Sequence, residues 1–193
     1  VTAAALLNTA YALARVRRHE EAIGVADALV RQYGEDGRAN GLACVAMALV
    51  NKGAGLIALG RGNDALIVCR ALLACSPPDV DSIFTEAIVS AQFNAAFALA
   101  QLGKEDEAQA AYAAVAGACS ASRNDSMRSL AADAHYNAAT IHMKKERRVE
   151  TIEACEAALA HHSQHGRAHS LRTVCYLQLH LVGEALASLS DRY

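Results

Sequence analysis

A chain of 193 residues can bury a sizeable core as one domain or two small ones, and an apolar fraction of 53% excludes intrinsic disorder. Alanine dominates that fraction, aromatics make up 5%, Trp is absent and there are two Pro, which is the composition of closely packed helices and makes an all-helical fold the expectation. A net charge of -2 supplies no overall basic field for nucleic acid or an anionic membrane surface.

The chain opens on Val1 without an initiator Met and without the n-region and h-region of a leader, so it is expected to be a fragment of a larger protein. From Asn8 the stretch "NTAYALARVRRHEEAI" starts a pattern that returns from Asn51, Asn94 and Asn137, each Asn 43 residues after the last. Three further columns keep that step: Ala10, Gly53, Ala96, Ala139; Ala22, Ala65, Ala108, Thr151; and Leu29, Leu72, Val115, Ala158. In each copy, apolar and small residues recur at helical spacing on both sides of a short polar break, so each copy is a helical hairpin.

The first hairpin is expected over about 1–36 and closes at Gly34-Glu-Asp-Gly37. The second, about 37–79, turns at Gly60-Arg-Gly-Asn63 and closes at Ser76-Pro-Pro-Asp79. The third, about 80–122, turns at Gly103-Lys-Glu-Asp106 and closes at Ser120-Ala-Ser122. The fourth, about 123–165, carries Lys144, Lys145, Arg147 and Arg148 at its turn, a charged cluster expected to be solvated, and it closes near Gly166. A fifth, 166–193, follows at a period of 34, with Thr173, Tyr176, Ala185 and Leu189 answering Ala139, His142, Thr151 and Cys155. Ten helices in five pairs, forming a single repeat domain over 1–193, are predicted.

The repeat disposes of one motif. Gly53-Ala-Gly55-Leu-Ile-Ala58 matches the G-x-G-x-x-[G/A] turn of dinucleotide-binding folds, but that turn needs flanking strands and an acidic ribose ligand about 20 residues on. Gly53 instead shares its column with Ala10, Ala96 and Ala139, a slot where two helices touch. No cofactor is expected. The apolar window from Gly41 to Gly60 is interrupted by Asn51 and Lys52 and reads as a poor membrane span. Six cysteines without a C-x-x-C suggest a reducing cytoplasm; Cys69 and Cys155 share one column and read as packing residues.

In the second copy, Lys52-Gly53-x-x-Leu56, then Gly60, Ala65-x-x-x-Cys69 and a closing Pro77, together with Ala108-x-x-x-Tyr112 in the third, resemble the tetratricopeptide pattern. The Trp slot departs from it, holding Leu6, Leu49, Gln92 and His135. The period is nine residues beyond the usual 34, enough for about two and a half extra helical turns, and is similar to the long-repeat branch of that family. The resemblance implies an all-α, right-handed superhelical stack of about five repeats, whose first helices line a concave peptide-binding groove, and a protein without catalysis of its own.

By the same resemblance, Asn8, Asn51, Asn94 and Asn137 face that groove, where an amide both donates to and accepts from a ligand backbone. The alternative is that each Asn bonds its neighbouring helix. Leu7, Tyr11, Val50, Ile57, Phe93, Phe97, Tyr136 and Met143 would line the groove with them, or form part of the core. Slots that the carboxylate-clamp subfamily fills with basic residues and Asn hold Leu7, Tyr11, Met47 and Ser90, so a chaperone adaptor is not expected. His165 and His169, four apart, are the one metal pair worth weighing; a break in the helix and the lack of a third ligand argue against it, and no metal is expected. The sequence thus points to a non-enzymatic scaffold with a protein or peptide partner, or else to a self-associating or structural module, with neither nucleic acid nor membrane as partner.

Overall fold

The computed structural model describes residues 2–34, 39–75 and 82–190, and within them the chain forms ten helices and no strand. They are α1 (Ala3–Arg15), α2 (His19–Tyr33), α3 (Ala39–Ala58), α4 (Gly62–Leu73), α5 (Ser82–Gln101), α6 (Glu105–Cys119), α7 (Asp125–Lys144), α8 (Arg148–His161), α9 (Gly166–Gln178) and α10 (Val182–Ser190). The expected breakers at 35–37 and 76–79, with Pro77, lie outside the described residues. Helix starts keep the sequence period: His19, Gly62, Glu105 and Arg148 follow one another at 43 residues.

The added length of the long period sits mainly in the first helices. α3, α5 and α7 each run 20 residues, whereas α9, in the 34-residue repeat, runs 13. The second helices α4, α6 and α8 vary only between 12 and 15 residues.

Every hairpin turns in the same way. Arg17, Gly60, Gly103, Glu146 and His180 occupy one repeat position and all have left-handed backbone, with φ between 60° and 75°. The next N–H reaches back to the last turn of the first helix: Arg18 to the Leu13 carbonyl, Arg61 to Leu56, Lys104 to Leu99, Arg147 to His142 and Leu181 to Tyr176, at 2.8–3.0 Å. This is the Schellman closure, which satisfies carbonyls that the helix end would otherwise leave unpaired. Glycine adopts the left-handed residue without a Cβ clash, and two of the five turns use it.

The chain divides into two compact units, 1–107 and 108–193, with the division inside α6. In the first, α3 packs against both helices of the α1–α2 hairpin, and α5 packs likewise against α3 and α4. Small residues permit this. A Cβ on Gly53 would lie 3.3 Å from the Cys69 sulfur of α4 and 3.5 Å from the Asn94 amide of α5, so the expected close contact between the helices of this repeat is present. Asn94 Nδ2 donates to the Val50 carbonyl at 3.0 Å, and Gln101 Nε2 to that of Ile57 at 3.2 Å, tying α5 to α3. Ala46, Val50 and Leu72 meet Phe84, Ala87 and Ala91 in the core between them.

In the second unit, α8 packs against α7 and α9, and α9 against α10. Ala132, Ala139, Cys155, Ala158 and Ala168 form its core. The column Ala26, Cys69, Tyr112, Cys155 is buried throughout. Burial pushes the Cys69 thiol up to about 11 and the Cys155 thiol to about 12, so both stay protonated and serve as small apolar groups.

By length and apolarity alone, Gly41–Ala58 and Ser82–Gln101 are long enough to cross a membrane, although the Asn and Lys of the first window argue otherwise. Both are first helices packed inside hairpins. Lys52 pairs there with Asp27 of α2 at 2.5 Å.

The left-handed column sets a testable contrast. Gly103→Ala meets no atom within 4 Å, so only backbone strain acts and the variant should lose about 1 kcal/mol. Gly24→Ala, equally unobstructed but inside α2, should gain about 0.5–1 kcal/mol. Denaturant melts of the two should move in opposite directions. Asn94→Ala, which drops the bond to Val50, should cost about 0.5–1.5 kcal/mol in the same assay.

Candidate binding cleft

The change of period from 43 to 34 opens a space in the second unit. α7 has 20 residues and α9 has 13, so the first turns of α7 face the α8–α9 turn instead of a helix. A cleft of about 790 Å³ results, with Ser129, Asp133 and Tyr136 of α7 on one wall and Arg167, Ser170, Leu171 and Val174 of α9 on the other; His162, Gln164 and His165 of the turn close one end. A smaller recess of about 340 Å³, lined by Asp125, Arg128 and His161 among others, shares Ser129, His162 and Gln164 with it.

A polar network spans the walls. Asp133 Oδ1 accepts from Arg167 Nη2 and faces His165 Nε2 at 3.1 Å. The Arg167 guanidinium lies 4.7 Å from the centre of the Tyr136 ring, a cation–π contact, while its side chain remains 64% exposed. His165 Nδ1 accepts the Ala168 N–H at 3.1 Å and so caps α9, which makes Nε2 the protonated nitrogen that donates to Asp133. Both ring nitrogens are therefore engaged. The Asp–His pair has no nitrogen left to take a proton from Ser129 or Ser170, so a Ser-His-Asp arrangement is not built here.

His169 does not join His165. It is buried, its Nε2 donates to the Ser163 carbonyl at 2.8 Å, and its Nδ1 has no partner among the described residues. Among the described residues no three His, Cys, Asp or Glu side chains are grouped as metal ligands. His135 stacks on His161 at 5.5 Å and 16°. Burial first, and the neighbouring His161 second, hold the His135 imidazole below its ordinary value of 6.5.

The residues singled out from the sequence occupy varied places. Tyr136 lines the cleft, and Met143 accepts a contact from Cys175 Sγ of α9 at 3.8 Å. Asn137 bonds the buried Tyr112 hydroxyl, whose pKa burial raises and that bond partly lowers. In the first unit Asn8 and Tyr11 are exposed, and Arg15 donates to the Tyr11 hydroxyl at 3.1 Å. Asn51, Ile57, Phe93, Asn94 and Phe97 are half-buried. Leu7 packs against the Ala26–Leu29–Ala48 cluster, and Val50, 9% exposed, lies in the core under α5. Asp133, Arg167 and His162 carry no signal within the motif itself. Their clue is spacing, because Asp133 lies 32 and 34 residues before His165 and Arg167, the reach of one short repeat.

No family model matches the sequence, and no curated protein matches it. The fold has solved counterparts. MamA of Desulfovibrio magneticus RS-1 superimposes at a TM-score of 0.65 with 18% identity over 98% of this chain and 92% of its own. A thermophilic TPR protein of Thermus thermophilus gives 0.63 with 15% identity over 99% and 90%. Bacillus thuringiensis PlcR, solved with the peptide PapR7 and DNA, gives 0.70 with 11% identity over 98% of this chain and 68% of its own. The chain thus has a tetratricopeptide-type helical-repeat fold.

The depressed His135 sets a pH dependence. The unfolded chain binds this proton more readily than the folded one, so stability is full above about pH 6.5 and falls as pH drops through that value toward the lowered one. Melts between about pH 7.5 and 5 should show that loss, and His135→Gln should flatten it.

Proposed function

We propose that the chain is a protein-interaction scaffold and that the α7–α9 cleft holds an extended segment of a partner protein. The carrying observation is the cleft itself, which lies between two first helices and joins a charged end to an apolar one. Arg167 uses one donor on Asp133 and directs the remainder of its guanidinium to solvent, where it can pair with partner carbonyls or a carboxylate. Leu171, the 42% exposed Val174 and the Tyr136 ring offer apolar contact beside it. That PlcR was solved with a bound peptide supports the capacity of this fold for such a ligand.

Within the first unit, Asn8, Tyr11, Asn51, Ile57, Phe93 and Phe97 keep the place given them by the tetratricopeptide resemblance, as contacts for a partner along α1, α3 and α5, whereas the Asn94 amide is turned to the Val50 carbonyl of α3. The role is non-catalytic. A reducing cytoplasmic setting suits six free cysteines, four of them buried.

Peptides selected on the intact chain from a random library provide the test. Arg167→Ala gives up one surface ion pair at a 64% exposed position, so stability should fall by no more than about 1 kcal/mol, while affinity for the selected peptides should fall about tenfold or more. Peptides that bind both proteins equally would remove the cleft from recognition.

A further inference from the structure

We infer that the segment held in the α7–α9 cleft carries two acidic residues separated by one other, the first set against Arg128 and the second against Arg167. This deepens the reading of the cleft as a peptide site and rests on it.

The cleft and the smaller recess beside it form one trench. Ser129, His162 and Gln164 line both, so a chain lying along α7 passes over them from the recess into the cleft without leaving the wall. One guanidinium stands in each part, Arg128 in the recess and Arg167 in the cleft. Arg128 Nη2 donates to the His161 carbonyl at 3.0 Å, and Arg167 Nη2 donates to Asp133 Oδ1. A guanidinium has five N–H groups in a fork that matches a carboxylate. With the two side chains 48% and 64% exposed, the remaining donors are open to a ligand.

The carboxylates of the trench do not use up these donors. Among the described residues that line it, Asp125 and Asp133 are the only acids. Asp133 is shared between Arg167 and His165 Nε2. Asp125 is 96% exposed and lies 3.6 Å from Arg128 Nη1, longer than a hydrogen bond. The Ser129 hydroxyl, the Gln164 amide and the His162 ring, all on the shared wall, have no hydrogen-bond partner among the described residues. The trench is thus richer in charged donors than in charged acceptors, and a ligand carboxylate completes it.

Spacing sets the number and interval of those carboxylates. Arg128 and Asp133, which holds Arg167, are five residues apart on α7, about 7.5 Å along its axis. Alternate residues of an extended chain lie about 6.6–6.8 Å apart and point the same way. Acids at alternate positions therefore meet one guanidinium each, while the residue between them faces solvent. The arrangement differs from the carboxylate clamp, whose slots fall in the first unit and hold Leu7, Tyr11, Met47 and Ser90.

The peptides selected on the intact chain supply the probe. Those whose affinity drops in Arg167→Ala are the cleft binders, and they should carry Asp or Glu at alternate positions. Exchanging either acid for its amide should lower affinity about tenfold. Arg128→Ala, at an exposed position, should weaken the parent peptide by a similar factor and leave unchanged the peptide that already lacks the acid facing it, a coupling that a merely structural Arg128 would not show. Cleft binders without paired acids would keep the cleft as a peptide site and overturn the paired-acid assignment alone, whereas a selection without any cleft binder would remove both. An equal loss for every peptide in Arg128→Ala would also overturn the assignment. So would tighter binding of a peptide with one phosphoserine in place of the acid pair, since a single dianion would then bridge the two guanidinium groups.

Discussion

The close approach of one first helix to the next is the condition on which the rest of the molecule depends. In the first unit it brings the Asn94 amide within van der Waals range of Gly53 and within bonding distance of the Val50 carbonyl. A larger side chain at the Gly53 column would push the helices apart and break that bond together with the Val50–Phe84–Ala91 core beside it. The alanine-rich composition follows from this spacing. With little bulk at the contact, stability comes from many short contacts along 20-residue helices and from side-chain amides that bridge them.

The same dependence explains where the cleft lies. A helix that covers its neighbour along its whole length leaves no room for a ligand, so space appears where the covering helix is short. α9 begins late relative to α7, and the gap is lined by the turn that replaces the missing helical turns. Polar side chains fill that wall because a turn has backbone groups to satisfy. His165 caps α9, and the Asp133 it also faces holds Arg167 against Tyr136. Cleft and network thus have a single cause, the loss of nine residues from the period.

Much of the fold was legible from spacing. The repeating columns gave five hairpins and the turns at Gly60, at Gly103 and in the Lys144–Arg148 cluster, and Gly53 proved to be a contact glycine, as its column indicated. The left-handed turn residue was only half visible, because Gly60 and Gly103 mark it plainly while Arg17, Glu146 and His180 hide it behind side chains that ordinarily avoid such a backbone. The asparagines showed what a column cannot say. Their recurrence marked them as special, but only the folded chain places the Asn94 amide on the Val50 carbonyl, since a side chain on a first helix can turn toward either a neighbour or a ligand. The Asp133–Arg167 pair was missed because no motif contains both residues; it exists only once two helices lie side by side.

The bridging bonds also bear on how the chain reaches this state. Asn94 and Gln101 each reach back 44 residues, Lys52 reaches back 25, and Asp133 reaches forward 34. Each span is about one repeat or less, so the chain entropy lost in making any of these contacts is that of a modest loop and does not grow with the number of repeats. Folding can accordingly nucleate in any hairpin and spread to its neighbour, with low contact order and correspondingly fast kinetics. A hairpin added to such a chain lengthens the array without slowing the assembly of those already formed.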